Sequence, residues 1–99
     1  MTYRVKLRKA ATADIAAAYA WYEDQRQGLG REFLDDVEQV LQRIVDGPLR
    51  FPVVLGVAHK ALLPRFPHTV FFRIRGTTVK VDCVIHQSRD PRTWKRRLS

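Results

Sequence analysis

The run His86-Gln87-Ser88-Arg89-Asp90-Pro91-Arg92-Thr93-Trp94-Lys95-Arg96-Arg97 brings an imidazole, an indole and five cationic side chains into twelve residues. An imidazole titrating near pH 6.5 can serve as general acid or base. Arginine and lysine hold phosphates or carboxylates, and an indole offers a face to a base or another aromatic ring. Two readings of this run are open: a binding surface, or a solvated C-terminus in which Trp94 folds back on the core. Upstream, Arg65 and His68 flank Phe66-Pro67, where Arg65 either holds an anion or ends its strand in solvent. Cys83 alternates with valines and reads as a small core residue rather than a nucleophile. As the single cysteine it cannot close an internal disulfide, which fits a reducing cytoplasm, and it rules out a cysteine-based zinc cluster. Three histidines without carboxylates at ligand spacing argue against a metal site. Gly28-Leu29-Gly30 is too short for a phosphate loop and reads as a turn between helices. No cofactor is expected.

The elements that must position these residues follow from the pattern. Tyr3, Val5 and Leu7 alternate with Arg4, Lys6 and Arg8, the period of a strand with one buried face. Thr12 is suited to cap a helix whose first turn places Asp14 against the dipole. Ile15, Ala18, Tyr19 and Tyr22 continue that helix, which Gly28 ends. In a second helix Phe33, Val37, Leu41 and Ile44 form one stripe, Asp35, Asp36, Gln39 and Gln42 take the solvated side, and Gly47-Pro48 stops it. Residues 60–66 predict an irregular strand interrupted by Pro64. Thr69–Arg75 predicts a clearer one, with Val70, Phe72 and Ile74 opposite Phe71, Arg73 and Arg75. Gly76-Thr77 turns into Thr78–His86, where Val79, Val81, Cys83 and Ile85 face one way and Lys80, Asp82, Val84 and His86 the other. This puts His86 off the main core face. Pro91 then opens a short basic helical turn. The expected fold is α+β, one domain over residues 1–99, ordered β-α-α-β-β-β with a helical hairpin on a mostly antiparallel sheet and a short basic C-terminal tail or helix.

Charge divides along the same line. Of a net +8, residues 14–46 contribute eight acids against three bases, and the remainder fifteen bases against Asp82 and Asp90. Such a dipolar chain attracts an acidic partner. No apolar run of about 18 residues is present to span a membrane, and the N-terminus lacks the apolar core of a signal peptide.

The ordered set of Asp14-Ile15, Trp21-Tyr22-Glu23, Gly28-Leu29-Gly30-Arg31-Glu32-Phe33, Pro48-Leu49-Arg50-Phe51-Pro52, Arg65-Phe66-Pro67-His68 and His86-Gln87-Ser88-Arg89-Asp90-Pro91, followed by Trp94 and Arg97, spans nearly the whole chain. In it the sequence resembles toxins of the RelE/ParE superfamily of type II toxin–antitoxin systems, in its ParE-like, plasmid-stabilisation branch. The resemblance implies a cytoplasmic toxin neutralised in a hetero-oligomer by a cognate acidic antitoxin. Within the branch, toxins are associated with poisoning DNA gyrase by binding, with no catalytic set required. It also implies an alternative, a RelE-like endonuclease acting on ribosome-bound mRNA. Such enzymes place an arginine where the central strand begins and a tyrosine near the C-terminus. Here His68 stands at the first position, with Arg65 near, and Trp94 at the second. His86, Arg89 and Arg65 are the catalytic candidates under that alternative. Lys60, Arg65, His68, Arg73, His86, Arg89, Trp94, Arg96 and Arg97 are the expected contacts to target or antitoxin. A degenerate toxin kept as a regulatory binding module is the third reading.

Overall fold

β1 (Arg4–Leu7) opens the computed structural model, which describes residues 2–98. It is followed by α1 (Lys9–Gln25), α2 (Leu29–Asp46), a single 3-10 turn (Pro48–Arg50), β2 (Val53–Leu55), β3 (Ala58–Leu62), β4 (His68–Arg75), β5 (Thr78–His86) and α3 (Pro91–Leu98). The five strands form one sheet in the order β1-β5-β4-β3-β2; β1 runs parallel to β5 and the other pairs are antiparallel. The hairpin of α1 and α2 covers one face, where Phe33, Val37, Val40 and Ile44 meet Val70, Phe72, Val79, Val81 and Val84. On the opposite face, α3 seals a smaller cluster of Ala58, Phe71, Cys83, Ile85 and Leu98. No helix among the described residues is long and apolar enough to cross a membrane.

Several local expectations change. α1 starts at Lys9, before Thr12, whose amide N–H already donates to the carbonyl of Arg8 at 3.0 Å. Lys9, Ala10 and Ala11 are good helix formers, so the helix starts directly after the strand. The strand expected over 60–66 is β3, Ala58–Leu62, because residues 64–67 are bends around Pro64 and Pro67. A further strand, β2, pairs with β3 through a turn at Gly56 (φ +57°). Its three residues between Pro52 and Gly56 are too few to show a period.

Asp36, placed on the solvated side by its spacing, is buried at 1% exposure. Its Oδ2 accepts the amide N–H groups of Arg65 (2.9 Å) and Phe66 (3.1 Å), which the bends leave without a strand partner. Two glycines are set by geometry. Gly28 takes φ +90° at the start of α2. At Gly30 a Cβ would stand 2.8 Å from the Tyr19 ring and from Glu23 Oε1. The Glu23 carboxylate accepts the N–H groups of Gly28 (3.0 Å) and Gly30 (2.9 Å), so the positive end of α2 is already occupied by an internal anion. This agrees with a turn rather than a phosphate loop.

Candidate functional site

A β-bulge decides where His86 points. Phe71 pairs with Cys83, but the next residue, Phe72, pairs with Val81, so Asp82 is the extra residue in β5. The alternation of side chains reverses there. Val79 and Val81 face the helical hairpin, but so do Val84 and His86, while Cys83 and Ile85 turn to the α3 side. His86 is indeed opposite Cys83, yet that side is the main core face, a correction to the simple alternating pattern. Cys83 is fully buried, and burial pushes its thiol up to about 12, which keeps it inert at neutral pH.

On the hairpin side His86 packs edge-on against His68, ring centroids 5.1 Å apart, and His68 Nε2 lies 3.1 Å from Tyr22 Oη. His68 is 5% exposed and its Nδ1 has no partner among the described residues. Burial first, then the neighbouring His86, pull its pKa down to about 4 against an opposing pull from Asp14. The ring is therefore neutral at pH 7. Burial also pushes the Tyr22 phenol up. His86 is held differently: its Nδ1 accepts the backbone N–H of Ser88 at 3.0 Å and lies 2.7 Å from Ser88 Oγ. A backbone N–H can only donate, so the neutral ring carries its proton on Nε2.

His86 and Arg89 border two cavities, one on each side of the end of β5. The hairpin-side cavity, about 380 Å³, is floored by Ala17, Ala18, Tyr22 and His68, with the indole of Trp21 at its rim. The cavity on the α3 side, about 290 Å³, adds Lys60, Thr69, Phe71 and Trp94. Trp94 itself stacks on Phe71 at 4.6 Å and 18°, so the indole does fold back on the core while lining the cavity. Asp90 caps α3 by accepting the Arg92 N–H at 2.9 Å, with Pro91 at the first helical position.

Asp14 fastens the two layers together. β1 ends opposite Val81, leaving the Val84 N–H without a strand partner. Asp14 Oδ2 accepts it at 2.9 Å, and the same carboxylate receives both terminal nitrogens of Arg97, at 2.6 and 2.9 Å. This fork holds Arg97 firmly in its charged form and anchors α3 across the sheet edge.

The expected site residues therefore separate. Lys60, His68, His86, Arg89 and Trp94 gather around the two cavities. Arg65 lines neither: its guanidinium pairs with Glu32 at 2.9 Å, and Glu32 also holds Arg26. Arg73 bonds Asp82 at the bulge (3.0 Å), which Arg8 also contacts at 3.0 Å. Arg97 is the anchor to Asp14, and Arg96 is exposed on α3. Asp14, Trp21 and Tyr22 belong to the site and were not expected there. Tyr22 read as a core position and Asp14 as a helix-end charge; the exposed indole on α1 was the available cue. This arrangement is suited to binding. A neutral floor, an indole rim, an N–H donor from His86 and a cation from Arg89 suit an apolar side chain next to an anionic or carbonyl group.

A family model described as the ParE toxin of type II toxin–antitoxin systems, parDE, matches residues 5–91. A solved structure described as the chromosomal ParDE TA system from P. aeruginosa superposes with a TM-score of 0.77 at 17% identity, covering 86% of this chain and 96% of that one. At that identity it shows the shared fold. Comparison with curated proteins finds no match.

Proposed function

The chain belongs to the ParE toxin family of type II toxin–antitoxin systems, and from that premise we propose that a cognate acidic antitoxin holds it inactive and that, once released, it acts by binding DNA gyrase. The observation that carries a binding rather than a cleaving role is the dispersal of the acid–base set. Arg65 is committed to Glu32, Trp94 is stacked on Phe71 where a tyrosine would be needed, and the nearest phenol, Tyr22, is engaged by buried His68. Neutralisation by an antitoxin is supported by the charge of +8 and by exposed apolar side chains, Trp21 at 60%, Val57 at 68% and Leu49 at 75%. An acidic segment that folds on the toxin would cover such residues and gain speed from the opposite charge.

The test is induced expression with and without the neighbouring reading frame, followed by supercoiling assays on purified gyrase. Growth arrest relieved by the neighbour, with inhibited supercoiling or trapped cleavage complexes, is the expected result. Arrest with unaffected gyrase would remove gyrase as the target. A second reading, cleavage of ribosome-bound message, is favoured by one observation: Lys60, His86 and Arg89 converge on the α3-side cavity. Loss of message cleavage in His86→Ala would establish it.

A further inference from the structure

Away from both cavities, strand register builds a cationic lattice on the uncovered part of the sheet. Lys6 pairs with Lys80, and Lys80 with Arg73, so three cations stand side by side across β1, β5 and β4. In the next row Arg4 pairs with Thr78, and Thr78 with Arg75. Val5, Val79 and Ile74 point to the hairpin, so these charged residues share the opposite face. Strand geometry spaces them by about 4.8 Å between strands and about 6.7 Å along them. Asp82, a carboxylate at the lattice edge, is already clamped by Arg8 and Arg73. The side chains of Lys6, Arg75 and Lys80 have no hydrogen-bond or ion-pair partner among the described residues, and Arg4, Lys6, Thr78 and Lys80 line a shallow recess.

Like charges placed directly opposite each other destabilise a sheet, so an arrangement of this kind needs another reason to exist. We infer that the outer face of β1, β5 and β4 is a docking surface for the phosphate backbone of double-stranded DNA. Charge complementarity identifies the class of partner. The lattice residues are all charged apart from Thr78, whereas the centres of protein interfaces are depleted of charge and rich in aromatic anchors. Single strands are held by bases stacked on aromatic rings, and the lattice has none. A duplex hides its bases and presents about one negative charge per 1.7 Å of axis. A lattice about 10 Å wide therefore meets roughly three phosphates on the near side of such a duplex. This surface is independent of the His86 cavities and of which target the toxin inhibits.

The experiment is fluorescence anisotropy of the full chain with a 20-base-pair duplex of arbitrary sequence, from about 50 to 300 mM salt. The triple variant Lys6→Gln, Arg75→Gln, Lys80→Gln leaves the Arg73–Asp82 clamp intact. It is expected to weaken binding on the order of a hundredfold at 0.1 M salt, and to flatten the slope of log K against log salt by about 2 to 3. Its melting temperature should equal or exceed that of the parent chain, because like charges have been removed from facing positions. A second variant, Lys95→Gln with Arg96→Gln on α3, should bind as the parent does. The proposal is overturned if the parent does not bind duplex, if the α3 variant and not the triple variant loses binding, or if single-stranded RNA binds more tightly than duplex. Displacement of duplex by equimolar polyglutamate would overturn it in favour of an acidic polypeptide.

Discussion

Buried His68 should make the stability of this protein fall steeply in mild acid. In the unfolded chain its imidazole binds a proton near pH 6.5, but in the fold only near about 4. The folded state is thus the proton-poor one in this interval. The contribution of neutral His68 is fully present above about pH 7, is lost as pH falls through 6.5, and stops falling near 4. The gap between the two values corresponds to about 3 kcal/mol in full, of which about 2 kcal/mol is gone by pH 5. Against a total of roughly 5–15 kcal/mol for a small domain, that is a large share. For a chain this size it lowers Tm by about 8–16 °C between pH 7.5 and 5. Urea unfolding at several pH values measures the loss, and the Cε1–H resonances of the three histidines measure the titration directly. His68→Gln keeps a polar group facing Tyr22 but cannot titrate, so its stability should change far less over the same interval. A His68 resonance titrating near 6.5 would refute the reasoning, as would an equal pH slope in His68→Gln.

Asp36→Ala strips the acceptor from the buried N–H of Phe66 and the part-buried N–H of Arg65 and should cost about 2–4 kcal/mol by urea unfolding, whereas Asp35→Ala, one residue away and solvated, should stay within about 0.5 kcal/mol. Equal effects of the two would mean that Asp36 does not serve those amides. Arg97→Ala releases α3 from Asp14, so Cys83 beneath it should react with a thiol reagent at least about 5-fold faster; an unchanged rate would show that the fork does not hold the helix. Gly30→Ala drives a methyl group into the Tyr19 ring and should lose about 1–3 kcal/mol despite the higher helix propensity of alanine. A gain in Tm would show that the hairpin can open there without strain.

Apart from β2, the kind and order of the elements were legible in the sequence because periodicity and turn chemistry are local. Alternation in Tyr3–Leu7 and Thr69–Arg75, the Phe33–Ile44 stripe, the Gly76-Thr77 turn and Pro91 each state a backbone preference within a few residues. The ordered motifs from Asp14 to Arg97 likewise carried the family. What the sequence could not state is which amides end up without a ladder partner. Because β1 stops at Leu7, the Val84 N–H needs Asp14, and because the chain bends at 64–67, two further amides need Asp36. Both carboxylates read from spacing as ordinary helix-surface charges. The bulge at Asp82 is of the same kind: a single extra residue, visible only when β5 is laid against β4, turns His86 onto the face shared with His68 and Tyr22. Local preference fixed what each segment would become. Only tertiary pairing decided which side of the sheet its last residues face, since register is a relation between strands and not a property of either one.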